Sequence, residues 1–377
     1  MIPMTARDQA PGRWRNSRII VDPQDFFRAL LAAIEGARES VLLESYIFHL
    51  DPLGESFIQA LAAAAARGVR VRVLVDGVGS SASCAQLAER LFEQDVAVQI
   101  YHPLPWLTRG YRWSRQRGGW LYKFMVFLLN INRRNHRKLC IVDGQTAWVG
   151  SFNISMDHLS RADGGKGWRD YAVQLQGRDI ASLVKGFDRL WAAQGPRFHR
   201  GFIARYLSNR GSRARRLKNR FLVRQVSRCQ QRAWLVSAYF APTASLRRAL
   251  LRACKNGSDV CVLLPEFSDV AMFPGLSSHY YRELLRAGAR IFLYQAGILH
   301  AKALLVDDLA IIGSSNWNYR SSLHDLELDV IIADKETQRA LESVVKNDFQ
   351  HGRELLLEET PNPSLVSWLW YLLRYWM

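Results

Sequence analysis

Residues 135–153, NHRKLCIVDGQTAWVGSFN, and residues 300–316, HAKALLVDDLAIIGSSN, carry one pattern twice. His136, Lys138 and Asp143 are followed by Gly150, Ser151 and Asn153, and His300, Lys302 and Asp307 by Gly313, Ser314 and Asn316. In a chain with nine His and nine Lys, even one H-x-K-x4-D arises by chance of order once in a hundred. A second copy with the same G-S-x-N tail marks a tandem duplication. In a strand, residues i and i+2 leave the same face, so each His and its Lys point together into one site. A hairpin turn at Asp143-Gly144 or Asp307-Asp308 returns the chain and sets Ser and Asn beside them. The step from Asp307 to Gly313 is one residue shorter than that from Asp143 to Gly150, so the second turn is expected to differ.

The surroundings repeat as well. Residues 26–37 (FFRALLAAIEGA) have helical spacing, 41–48 (VLLESYIF) read as a strand, 57–68 (FIQALAAAAARG) as an Ala-rich helix and 69–77 (VRVRVLVDG) as a strand. The order returns in RAWLVSAYF (232–240), SLRRALLRACKNG (245–257), DVCVLLP (259–265), HYYRELLRAGA (279–289) and RIFLYQ (290–295). The expected organisation is a polar tail over 1–18 and a first α/β domain over 19–199 with an insert at 104–134. An Arg-, Gly- and Ser-rich linker follows over 200–224, then a second domain over 225–355 and an aromatic tail over 356–377.

Apolar residues at 49% and charged residues at 23% exclude wholesale disorder and low-complexity classes. The net charge of +17 calls for an anionic partner: nucleic acid, an anionic membrane surface or a phosphorylated substrate. The five cysteines (84, 140, 229, 254 and 261) lack any C-x-x-C spacing, so neither a disulfide framework nor a zinc site is expected, and a reducing compartment fits best. The N-terminus has no apolar h-region, and the longest apolar stretches, 124–131 and 365–373, fall short of a bilayer span; neither export nor a transmembrane helix is expected. Imidazole, ammonium, hydroxyl and amide without grouped carboxylates or Cys suit a phosphate ester better than a divalent metal. Arginine outnumbers lysine 42 to nine, yet the site position is Lys twice, as expected where a compact point charge is needed.

These residues resemble the phospholipase D superfamily, whose signature is a duplicated H-x-K-D motif, over roughly residues 19–350. YIFHLDPLGESF (46–57), RGVRVRVLVDGVGS (67–80), NRRNHRKLCIVDG (132–144), NISMDHLS (153–160) and WRDYAVQLQG (168–177) are similar to its bacterial cardiolipin synthase branch. The resemblance implies tandem mixed sheets flanked by helices in a pseudo-twofold monomer, with both motifs at one active site and no metal or cofactor. One of His136 and His300 would attack phosphorus and the other protonate the leaving alcohol. Lys138, Lys302, Asn153 and Asn316 would bind phosphate, with Ser151 and Ser314 in support. Asp170 and Glu327, which follow the histidines by 34 and 27 residues, would orient the imidazoles. Asp143 and Asp307 belong to the motif, and their place past the strand suits a turn or ion-pair role. NWNYRSSLHDLE (316–327) departs from the branch, which usually has Asp near Asn318 and Asn near Asp325. Glu44 and Tyr239 stay unassigned.

Two stretches bear on the substrate. The insert interleaves Trp106, Tyr111, Trp113, Trp120, Tyr122, Phe124 and Phe127 with Arg109, Arg112, Arg115, Arg117, Lys123, Arg133 and Arg134, which suits an anionic lipid interface more than a nucleic-acid groove. SLVSWLWYLLRYWM (364–377) suits either a membrane-surface helix or one docked on the protein. The resemblance thus implies transfer of a phosphatidyl group from phosphatidylglycerol to a lipid alcohol, peripherally on the cytoplasmic side of the inner membrane. Hydrolysis of phospholipid or nucleic acid by the same chemistry is the alternative.

Overall fold

The computed structural model describes residues 14–104, 119–129, 132–177, 179–192, 206–208, 212–360 and 364–375. The first half runs β1 (Trp14–Ile20), α1 (Pro23–Glu35), β2 (Ser40–Ser45), α2 (Pro52–Ala66), β3 (Arg70–Asp76), α3 (Cys84–Phe92) and β4 (Ala97–Tyr101). It continues with α4 (Trp120–Leu129), the hairpin β5 (Leu139–Val142) and β6 (Thr146–Gly150), β7 (Ala172–Gly177) and α5 (Ile180–Trp191). Local signals explain the helix starts: Asp22 and Asp51 accept from the amides of Asp25 and Gly54, each just ahead of a proline in the first turn.

The second half repeats the order as β8 (Tyr206–Ser208), α6 (Ser212–Ser227), β9 (Arg232–Val236), α7 (Ala244–Lys255), β10 (Asp259–Pro265), α8 (Met272–Arg286) and β11 (Arg290–Tyr294). Next come the hairpin β12 (Ala303–Val306) and β13 (Leu309–Gly313), α9 (Tyr319–Leu323), β14 (Leu328–Ile332), α10 (Lys335–Gln350), β15 (Gly352–Glu354) and α11 (Leu365–Leu373). The sheets are ordered β1-β7-β6-β5-β2-β3-β4 and β8-β14-β13-β12-β9-β10-β11-β15, so the second reproduces the first and adds one edge strand. In both, three adjacent strands are parallel (β2, β3, β4 and β9, β10, β11) and the motif hairpin pairs antiparallel to the first of them.

This correspondence corrects the expected boundaries. The stretch 200–224 is not a linker where it is described: β8 pairs with β14 as β1 pairs with β7, and α6 stands where α1 does, so the second repeat starts by residue 206. The inward stripe of α6 is Arg215, Lys218, Leu222 and Val226. Two of its four positions are cations, which hides the helical period from a hydropathy reading. The N-terminal tail is likewise shorter, because residues 14–18 already belong to β1.

Strand alternation divides the apolar residues into three clusters. Leu42, Leu74, Ile141 and Val173 of the first sheet meet Val236, Leu263, Leu305 and Val330 of the second in a central core that also holds α5 and α10. Val41, Leu43, Val71 and Val73 face α1 to α3, and Leu235, Val260, Val262 and Leu304 face α6 to α8. The two halves therefore share one core and hold the motif strands rigidly against each other. Among the described residues, no helix is long and apolar enough to cross a membrane.

Candidate active site

Each motif histidine lies just ahead of its strand, β5 or β12, and is pinned by main-chain contacts from the other half. The amide of His136 donates to Leu326 O at 3.0 Å, and that of His300 donates to Arg169 O at 2.8 Å. The residue after each acceptor is a carboxylate, so the pairing crosses over. His136 Nδ1 lies 3.2 Å from Glu327 Oε2, and His300 Nδ1 lies 2.8 Å from Asp170 Oδ1. Asp170 and Glu327 thus each lie against the imidazole of the opposite repeat. Four of these side chains are almost fully enclosed: Glu327 and Asp170 are 0% exposed, His136 7% and His300 3%.

Enclosure decides the charge states. Burial, followed by the ammonium of Lys138, pulls His136 down to about 3, and burial with Lys302 pulls His300 down to about 4. Burial would raise Glu327, but His136 and the ammoniums of Lys218 and Lys138 hold it down to about 2; the same opposition, with His300 and His158, keeps Asp170 well below the usual carboxylate range. Both imidazoles are therefore neutral beside ionised carboxylates. Because Nδ1 faces oxygens it carries the proton, and the Nε2 lone pair is left for chemistry.

Lys138 and Lys302 line the same cluster. Each spends one N–H on the carbonyl of its own histidine, His136 at 2.7 Å and His300, and neither forms an ion pair among the described residues. Burial, then Lys302, pushes Lys138 well below an ordinary lysine, and burial brings Lys302 down to about 8. The cations sit near the rings of Tyr46 and Tyr239, at 5.1 and 6.0 Å. Asn153 and Asn316 brace the neighbouring loops, their Oδ1 atoms accepting from the amides of Ile47 and Tyr239. Asn153 Nδ2 and Trp168 Nε1 remain buried donors with no protein acceptor among the described residues. Cations and unfilled donors on enclosed walls define a place for an anion with several acceptor oxygens. Among the described residues there is no group of three His, Cys, Asp or Glu able to hold a metal.

The glycines of the two tails are required by close approach: a Cβ at Gly150 would lie 2.4 Å from Tyr171 O, and one at Gly313 the same distance from Leu328 O. The serines differ. Ser314 Oγ donates to Glu327 Oε2 at 2.5 Å, whereas Ser151 Oγ, among the described residues, bonds the main chain of Tyr171. Asp143 and Asp307 end at the far side of the strands from the imidazoles. Asp143 accepts from the amides of Arg38, Glu39 and Ser40, and Asp307 from those of Gln230, Gln231 and Arg232. Burial alone would raise both; the amides outweigh it and hold both carboxyls below their ordinary value. They clasp the hairpin turn to the start of β2 or β9, the turn role that their place past the strand suits. The two turns differ as expected, three residues closing the first (Val142 opposite Thr146) and two the second (Val306 opposite Leu309).

Several residues in the site carried no sequence assignment. His158, Tyr46 and Trp168 line it from the first half, with ring centroids 6.0 Å from His300, 4.9 Å from His136 and 5.0 Å from His300 respectively. Tyr239 joins from the second at 6.2 Å from His300. Asp325, where the branch usually has Asn, receives Arg320 Nε at 2.9 Å and the Arg134 amide; Asn318 caps α9. Arg134 is 1% exposed and its guanidinium donates to His102 O, so it is not part of any lipid-facing surface of the insert. Residues 105–118 and 130–131, with Trp106, Tyr111, Trp113, Arg109, Arg112, Arg115 and Arg117, lie outside the described residues. On α4, Trp120, Leu121, Tyr122, Met125 and Leu128 are exposed. The tail helix α11 docks one face on α8 through Ser367, Trp368 and Tyr371 around His279, and exposes Leu365, Val366, Leu369 and Leu372.

Residues 30–191 and 222–349 match the family model described as cardiolipin synthase, PLD-like domain. The chain is similar to cardiolipin synthase A of Pseudomonas putida (strain W619), 33% identical over 363 residues that make up 93% of this chain and 72% of the relative. It is also similar to that of Pseudomonas syringae pv. syringae (strain B728a), 30% identical over 354 residues, 91% of this chain and 70% of the relative. In fold it is similar to phosphatidylserine synthase of Haemophilus influenzae Rd KW20, with a TM-score of 0.71, 15% identity and coverage of 98% and 96% of the two chains. A polyphosphate kinase of Porphyromonas gingivalis shares the fold at a TM-score of 0.63 and 15% identity, over 96% of this chain and 53% of that one.

Proposed function

The chain belongs to the cardiolipin synthase, PLD-like domain family, and from that premise we propose that it makes cardiolipin from two molecules of phosphatidylglycerol, releasing glycerol, through a phosphohistidine intermediate. It is an enzyme of the phosphatidyltransferase type. The observation that carries the finer reading is the pair of crossed imidazole–carboxylate dyads around two buried ammoniums without an ion-pair partner among the described residues.

In the first step a neutral imidazole Nε2 attacks phosphorus. The bond from phosphorus to the glycerol oxygen breaks, and the second imidazole, protonated once the phosphodiester charge offsets the lysines, gives that oxygen its proton. In the second step the same imidazole, now neutral, takes the proton of a hydroxyl on another phosphatidylglycerol, whose oxygen displaces the histidine. Lys138, Lys302, Asn153 Nδ2 and Trp168 Nε1 are the donors for the charge that gathers on the equatorial oxygens. One chain carries both dyads, so a monomer suffices. The apolar side chains exposed on α4 and α11 support peripheral attachment to an anionic membrane, and the cytoplasmic face is the side proposed for it. Incubating the protein with labelled phosphatidylglycerol in detergent micelles and separating the products tests the reading. Cardiolipin and glycerol in equal amounts support it, and phosphatidic acid or no product overturns it.

A further inference from the structure

The two dyads also differ at the position five residues after each motif asparagine. In the second half, Ser321 Oγ accepts from the Asn316 amide at 3.2 Å and donates to Glu327 Oε1 at 2.6 Å. In the first half the same place, five residues after Asn153, belongs to His158. Its Nε2 accepts from the Asn153 amide at 3.0 Å, and its Nδ1 lies 2.7 Å from Asp170 Oδ2, the oxygen that His300 does not use. His158 is 1% exposed. An amide N–H is always a donor, so Nε2 must be the acceptor and Nδ1 must carry the proton. His158 is thereby held as the neutral Nδ1–H tautomer, and a protonated ring would set two N–H groups against each other.

We propose that His158 is a positioning residue for His300, tying the Asn153 loop to Asp170 and limiting how strongly that carboxylate attracts the His300 proton. The part it plays in turnover rests on the phosphatidyltransferase reading; the wiring itself does not. A neutral ring that donates to Oδ2 disperses part of the carboxylate charge without cancelling it, as the hydroxyls of Ser321 and Ser314 do for Glu327. With that donor gone, Asp170 leans harder on His300 and stabilises its imidazolium. The other groups facing His300 keep their sign: Lys302 disfavours the imidazolium, Asp269 favours it and is held by the Tyr239 hydroxyl, and Trp168 packs on the ring without charge.

His158→Ala removes donor and acceptor together. His158→Gln keeps one of each on a side-chain amide at a spacing near that of the two ring nitrogens. Imidazole 15N and 1H NMR of the full chain, without substrate, reads the wiring. Wild-type His158 is expected as the Nδ1–H tautomer, and the His300 titration is expected to move upward in H158A by about one pH unit, a tenfold change in proton affinity, and to return in H158Q. Turnover of a short-chain soluble phosphatidylglycerol should fall at least tenfold in kcat in H158A with KM within threefold, and H158Q should recover most of it. An Nε2–H His158, an unmoved His300, or an H158Q no better than H158A overturns the proposal. If the NMR behaves as stated and wild type makes no cardiolipin, it is the functional reading that fails and the wiring that stands.

Discussion

Replacing Lys302 with Met should stabilise the protein and destroy its activity. Lys302 is 1% exposed, and burial lowers it from 10.5 to about 8. Holding that ammonium charged at pH 7 therefore costs about 3 kcal/mol relative to the unfolded chain. Methionine refills the apolar stem, and it also removes a like charge that disfavours the ammonium of Lys138. Against this, the carbonyl of His300 loses its donor, at about 1 kcal/mol. The net expectation is about 2 kcal/mol of added stability at pH 7. A depressed lysine imposes its full penalty below the folded value and is relieved as pH rises toward the unfolded one. Wild type should accordingly gain stability between about pH 8 and 10.5, and Lys302→Met should lack that gain, so the two converge at pH 10. Urea unfolding at pH 7 and pH 10 measures both differences, and turnover should fall by roughly a thousandfold through loss of charge stabilisation. A variant less stable than wild type at pH 7, or one whose advantage is the same at pH 10, would refute the electrostatic reasoning even if activity were lost.

His136→Ala and His300→Ala should each lower turnover by several orders of magnitude, because each imidazole performs a step the other cannot take over; residual activity above a tenth of wild type in either would break the shared-site mechanism. Asp143→Ala should cost about 1–3 kcal/mol of stability by releasing the amides of Arg38, Glu39 and Ser40, with kcat within threefold of wild type; a large kcat loss at unchanged stability would return the aspartate to the chemistry. Leu369→Ser with Leu372→Ser should weaken sedimentation with phosphatidylglycerol vesicles at least tenfold while sparing a soluble short-chain substrate, since both side chains point outward from α11; equal loss in both assays would make α11 a structural helix only.

Much of this protein is local and therefore legible in one dimension. The period of two that puts His136 beside Lys138, the helix-to-strand rhythm of each half, and the repeat itself depend on neighbours in sequence. Those carried the duplicated α/β rhythm and the place of the two motifs, while the arrangement of the sheets was what the family resemblance implied. The spacing of His158 after Asn153 and of Ser321 after Asn316 was also present, but only the hydrogen bonds reveal that an imidazole and a hydroxyl fill one role. Tertiary structure alone decided that the carboxylates cross between halves, because the contacts of Leu326 with His136 and of Arg169 with His300 form only when the two sheets share a core. It also decided that a basic stretch is a structural helix. Hydropathy reads burial from apolar side chains, whereas α6 buries Arg215 against the carbonyls of Leu323 and His324, and Lys218 against Asp329 and Ser315. Charges enclosed by partners more than ninety residues away leave no periodic trace in the segment that carries them.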